Sequence, residues 1–169
     1  MSAEPLVTTY LEMRSPDQLR PKRGDARFQV REKRNRDWRF NRDFYFRVGE
    51  QWKWTDKRPW TDEQWREYAT APELLTFAGY YDDVLAGYYE LRRDKDGGIE
   101  IAYFGLLPEF IGRGLGGALL TSAIEEAWSC RGGIVPVRVC VHTCNRDHPQ
   151  ALANYQARGM IVYKVEKEA

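Results

Sequence analysis

Long hydrophobic runs are missing from this chain. No apolar stretch approaches the ~20 residues that a membrane span needs, so no membrane partner is predicted. Cysteine is scarce: there are three in 169 residues, an odd number for a disulfide framework. Cys140 and Cys144 fall on one predicted strand, roughly 13 Å apart, beyond the reach of a disulfide. Reduced thiols in a cytoplasmic protein are the expectation. An excess of one charge is also absent, with 26 basic against 25 acidic residues and a net charge of +1. Without a global basic field, no nucleic-acid partner is predicted. The opening "MSAEPLVTTY" has no positive segment followed by an apolar one, so no signal peptide is predicted. There is no internal repeat. The length suits a single domain over residues 1–169 with a substantial core.

Glycine, by contrast, is concentrated. "EFIGRGLGGALL" (109–120) places Gly112, Gly114, Gly116 and Gly117 where a helix pattern begins, although glycine costs about 1 kcal/mol relative to alanine inside a helix. A glycine turn between a strand and a helix leaves backbone N–H groups unscreened. The first N–H groups of the helix lack internal partners, and the helix dipole adds positive charge. Together they suit a phosphate or pyrophosphate. Gly112, Gly114 and Gly116 would let the backbone come close, and Arg113 would add a charged contact. A P-loop is excluded because Ala118 and Leu119 follow the last glycine instead of lysine and serine or threonine. "GRGLGG" matches the bare GxGxxG spacing of a dinucleotide site. It comes late in the chain, however, and no acidic residue ends the following strand. A plain tight connection would need only one glycine.

Strand patterns cover 6–15 ("LVTTYLEMRS") and 27–33 ("RFQVREK"), the second half-exposed. Phe44, Val48 and Trp52 have helical spacing in 41–52. Residues 61–70 open with Thr61 and Gln64, a capping-box pattern. Residues 73–93 read as two strands around Asp82-Asp83, and 98–107 as a buried strand. A helix follows the glycines to about Cys130. Then come a strand over 135–144, a helix over 148–160 with Pro149 in its first turn and Gly159 as its stop, and a strand over 161–167. This order predicts an α/β or α+β sheet with helices on its faces. The basic stretch 19–36 reads as a solvated linker around a short strand, with a polyanion contact as the alternative.

The chain resembles the GNAT N-acetyltransferase superfamily. "LLPEFIGRGLGGALL" supplies Leu106, Pro108, Phe110, Gly114 and Gly116 in register with the family's acetyl-CoA motif. Ile111 stands where that motif usually has glutamine or arginine. "HPQALANYQARGM" supplies Ala151, Tyr155 and Gly159 of the second motif, with His148 and Met160 replacing the usual asparagine and phenylalanine. The resemblance covers 73–167 firmly, leaving 6–72 as N-terminal strands and acceptor-side helices. It also extends to a bacterial group of uncharacterised members over nearly the whole chain.

The resemblance implies a mixed, mostly antiparallel sheet with a splayed strand pair and about four helices. It implies acetyl-CoA as cosubstrate and a small-molecule or peptide amine as acceptor, and it is compatible with a homodimer. The expected cofactor contacts are the pantetheine-pairing backbone around Phe104 and Leu106, and the turn of Ile111, Gly112, Arg113, Gly114, Leu115, Gly116 and Gly117. Strand 98–107 is expected to splay from 135–144. Tyr155 lies where the family places its general acid, and a phenol of pKa about 10 suits a thiolate leaving group. It would also touch the cofactor.

Glu100 is the expected general base. An unpaired carboxylate inside an apolar strand would have a raised pKa. Its spacing before the glycine motif also matches the base of the superfamily's histone-acetylating branch. Glu90 and His142 are held in reserve. Cys140, His142 and Cys144 alternate on one strand, spread too widely for one metal ion, so no metal is expected. Cys144 as an acetyl-accepting nucleophile is a minor alternative. Trp52, Trp54, Trp60 and Trp65 are candidates for acceptor-pocket wall or for core. The enzyme readings are acetyl transfer, or transfer from another acyl-CoA. A CoA-binding sensor is the non-enzyme alternative.

Overall fold

Asp82 and Asp83 both adopt left-handed backbone (φ 49° and 64°), the twist that folds one strand tightly back on another. They join β3 (Leu74–Tyr81) to β4 (Val84–Arg93), and β5 (Ile99–Leu106) pairs with the other edge of β4. In the computed structural model, which describes residues 4–129 and 131–168, this meander is the middle of a seven-stranded sheet. The outer strands are β1 (Val7–Met13), β2 (Phe28–Glu32), β6 (Val139–Cys144) and β7 (Ile161–Lys167), in spatial order β2-β3-β4-β5-β6-β1-β7. Only β5 and β6 pair in parallel. The result is the mixed, mostly antiparallel sheet that the family resemblance implies.

Side-chain alternation on the sheet separates two cores. On one face, Leu11, Met13, Tyr89, Leu91, Val139 and Val141 pack with α3 (Leu115–Trp128), and Tyr155 joins them from α4 (Ala151–Ala157). On the other, Ala86 and Tyr88 meet Phe44 and Val48 of α1 (Trp38–Trp52). A further aromatic cluster of Trp38, Tyr45 and Trp65 fixes α2 (Asp62–Thr70) against α1. The capping box forms as predicted: the Thr61 side chain accepts from Gln64 N–H at 3.2 Å, and Thr61 N–H donates to the Gln64 side chain at 2.8 Å.

Several elements differ from the sequence reading. α1 starts at Trp38 rather than 41, because the Asp37 side chain caps it by accepting from Arg39 N–H. The strand predicted over 135–144 is confined to Val139–Cys144. β5 begins only at Ile99, so the segment before β6 has little to pair with beyond the bonds from Val137 N–H to Gly97 O and from Ile99 N–H to Arg138 O. The last helix starts at Ala151, with Pro149 ahead of it, because His148 Nδ1 accepts from Gln150 N–H and closes a turn there. α3 ends at Trp128, and Cys130 lies outside the described residues.

A further difference concerns the segment that leaves β1. The strand itself sits between β6 and β7, antiparallel to both. The chain leaving it therefore crosses the ends of α3 and α4 before reaching β2. Residues 19–24 are accordingly not a free linker. Arg20 N–H donates to Arg158 O at 2.9 Å, and Lys22 N–H donates to Thr121 Oγ1 at 2.9 Å.

Gly159 makes this crossing fit. Its φ of 102° is one that side chains rarely adopt, and a Cβ there would run into the Gln18 carbonyl oxygen. Gly159→Ala is expected to destabilise the fold by at least about 1–3 kcal/mol, read as a lowered urea midpoint. An unchanged midpoint would show that the crossing yields without cost.

Candidate active site

β5 and β6 touch at two positions only, Ile99↔Val139 and Glu100↔Cys140, and then part. Beyond Glu100, the β5 edge that faces β6 has no strand partner. A cavity of about 800 Å³ opens in the gap. Phe104 and Leu106 line it from β5, and Tyr155 from α4.

The glycine turn closes one end. After a short helical turn over Pro108–Phe110, Gly112 and Gly114 take φ of 82° and 78°. Gly114 is the N-cap of α3, and no side chain caps the helix there. The first N–H groups of α3 therefore point outward, at the positive end of the helix dipole. A Cβ built on Gly112 would meet nothing within 4 Å, so the backbone lies open. Ile111, Gly112, Gly114, Leu115, Gly116 and Gly117 all border the cavity. This bare cradle of donors fits a pyrophosphate such as that of CoA. Arg113 does not border the cavity: its guanidinium stacks on Tyr81 at 4.9 Å and on Phe110 at 5.2 Å.

The cradle has two cations that the sequence reading missed. A Cβ on Gly117 would collide with Arg158 Nη1 and lie 2.5 Å from Lys22 Cδ. Lys22 belongs to the basic stretch, whose polyanion alternative was the available signal. Nothing in the spacing marked Arg158.

Tyr155 is buried, with its ring edge-on to Phe104 at 6.2 Å. Burial, with a smaller contribution from Asp147, pushes its phenol well above the ordinary range. It therefore holds its proton at neutral pH.

At the other end the walls are polar and aromatic. Trp52 and Trp54 line the cavity, whereas Trp65 is core and Trp60 packs on it at 5.1 Å. Trp52 packs edge-on to His148 at 5.0 Å, and Trp54 Nε1 donates to Asp147 at 3.2 Å. Asp56 accepts from Tyr103 at 2.5 Å and from Tyr45 at 3.0 Å. Burial pushes the Asp56 carboxyl up, but the donors Tyr103, Lys57 and Tyr45 and the Lys57 charge outweigh it and hold the carboxyl below its usual range.

Glu100 borders the cavity, but it is not the unpaired carboxylate expected. Arg92 Nη2 donates to it at 2.6 Å, and His142 Nδ1 lies 3.6 Å from its other oxygen. The isolated environment belongs to Glu90 instead. Glu90 is fully buried, and burial raises its pKa against the hydrogen bonds from Tyr68 and Asn41. Those bonds seal it away from the cavity. His142 is open to the cavity, as is Cys144. Burial pushes the Cys140 thiol up to about 11, which leaves it unreactive at neutral pH.

This sheet, parted beside a glycine-started helix, agrees with the comparisons. The family model for the acetyltransferase (GNAT) family matches residues 29–160, and the chain belongs to that family. A search of curated proteins gives no match. Among solved structures, a GCN5-related N-acetyltransferase from Sphaerobacter thermophilus superposes with a TM-score of 0.72 at 17% identity, over 98% of this chain and 51% of that one. Another from Kribbella flavida gives 0.67 at 15% identity, over 95% and 58%. An aminoglycoside acetyltransferase from an uncultured soil metagenomic sample gives 0.61 at 12% identity, over 79% and 88%. The chain thus spans about half the length of the first two. Among the described residues, no helix is long and apolar enough to cross a membrane.

The raised pKa of Glu90 makes a pH prediction. Relative to its unfolded value near 4.5, the folded protein binds this proton more tightly. The resulting stability is present below pH 4.5 and is lost as pH rises through the raised folded value. Wild type is therefore expected to lose stability relative to Glu90→Gln between pH 5 and pH 8, in paired urea titrations. A gap that does not vary with pH would show that Glu90 binds no extra proton on folding.

Proposed function

We propose that the chain is an N-acetyltransferase that moves the acetyl group of acetyl-CoA directly to a primary amine within a ternary complex. The observation that carries this reading is the cleft between β5 and β6, with an uncapped glycine cradle at one end and a protonated tyrosine inside it. Bound acetyl-CoA supplies an activated acetyl group as a thioester. The N–H groups from Gly112 to Gly117 hold its pyrophosphate, and the unpaired β5 edge near Phe104 and Leu106 hydrogen-bonds its pantetheine arm.

Tyr155 acts as the general acid, donating its phenolic proton to the departing sulfur. Glu100 takes the proton of the incoming ammonium, directly or through water. Its carboxylate is oriented by Arg92, and His142 stands beside it. The wall of Trp52, Trp54 and His148 keeps water from the reacting carbonyl and shapes the space for the acceptor.

A panel of amines with labelled acetyl-CoA, read by thiol release, tests the activity. Binding of CoA without transfer to any amine would leave a sensor. Faster transfer from a longer acyl-CoA would change the donor. Tyr155→Phe is expected to lower kcat by roughly 10²-fold with CoA affinity preserved. Unchanged turnover would return this residue to packing.

Glu100→Gln is expected to lower kcat/KM at neutral pH, with the deficit shrinking as pH rises and more acceptor arrives already neutral. A deficit independent of pH would assign Glu100 a structural role and make His142 the base to test.

A further inference from the structure

The crossing segment between β1 and β2 lies on the glycine cradle itself. Lys22 lays its alkyl chain over Gly117, and its Nζ is 4.0 Å from where a Cβ on Gly114 would stand. Arg158, from the end of α4, reaches the same glycine from another side. Two bonds hold this arrangement. Arg20 N–H donates to Arg158 O at 2.9 Å, and the Asn154 side chain donates to Gly116 O at 3.2 Å. The crossing segment, the end of α4 and the start of α3 are thereby pinned together.

The charges at this point do not balance. Among the described residues, neither Lys22 Nζ nor the Arg158 guanidinium has an ion pair or hydrogen bond, and Arg158 Nε is buried without a partner. The neighbouring Arg23 is satisfied, bound to Glu125 at 2.5 Å, so the pattern is selective. Two unpaired cations beside the positive end of a helix repel one another, and a buried unpaired donor is unfavourable. An anion with more than one charge relieves both conditions.

We propose that Lys22 and Arg158 form a two-cation clamp over the glycine cradle that grips the diphosphate of the CoA-type donor. The clamp rests on the reading of the cleft as a CoA site, and assigns the donor's affinity to side chains as well as to backbone. Lys22 reaches the cradle only because β1 lies between β6 and β7. The N-terminal crossing segment is thus part of the donor site. A donor lacking the diphosphate would gain nothing from it.

The test compares Lys22→Met, which keeps the packing over Gly117 but not the charge, with Arg158→Met, Arg158→Lys and wild type. CoA affinity is measured by calorimetry, and S-acetyl-pantetheine, which has no phosphate, by ligand-observed NMR. Melting temperature without ligand serves as the fold control. Each charge-removing variant is expected to bind CoA roughly tenfold or more weakly. The loss should shrink at high salt, with S-acetyl-pantetheine binding unchanged and Arg158→Lys partly restored. Wild-type affinity for CoA in both Met variants would overturn the clamp, as would equal losses for both ligands. If wild type binds neither ligand, the CoA reading fails and the clamp fails with it.

Discussion

The divergence of β5 from β6 is the constraint on which the rest depends. Two parallel pairs hold the strands at Ile99 and Glu100. Continued pairing would have satisfied the backbone of β5 on both edges and closed the sheet. Parting leaves N–H and C=O groups that must be paired by water or a ligand, and it opens the cavity. Each neighbouring feature then has a defined place. α3 starts at the far end of β5 and turns its uncapped N-terminus into the gap. α4 covers one side with Tyr155, and the residues that follow α1 cover the other.

The position of β1 is the second organising feature. Because it lies between β6 and β7, the chain must cross from one half of the sheet to the other before β2 begins. It does so over the helix ends, which brings a basic segment against the cradle. Gly159 is where this crossing meets α4. Its positive φ ends the helix, and its lack of a Cβ lets the Gln18 carbonyl approach. One glycine therefore serves as both helix stop and close-packing contact.

Local signals in the sequence carried far. The capping box at Thr61, the turn at Asp82-Asp83 and the glycine cradle were legible because each depends on neighbouring residues. Leu106 and Tyr155 were placed at the cleft by motif register and Phe104 by the expected splay of its strand, and all three line the cavity. The failures depend on distant contacts. The insertion of β1 between β6 and β7 cannot be seen from its own alternation, which fixes a strand's faces but not its neighbours. The length of β6 depended on where its partner began. Arg113 stacks on Tyr81, which is far from it in sequence, as well as on neighbouring Phe110, and Lys22 and Arg158 are separated by most of the chain. The four tryptophans were divided between wall and core by how α2 packs, which no local spacing reports.

The two glutamates show why burial alone is a poor guide to a proton acceptor. Glu90 has the buried environment that raises a carboxyl pKa, but Tyr68 and Asn41 occupy its oxygens and the sheet covers it. Glu90 does not border the cavity. Glu100 has the reverse arrangement. One oxygen is fixed by Arg92, and the other faces His142 at the edge of the cavity. The bond from Arg92 fixes the direction of this carboxylate at the edge of the cavity. For the base proposed here, access and orientation, set where the strands part, therefore count for more than burial.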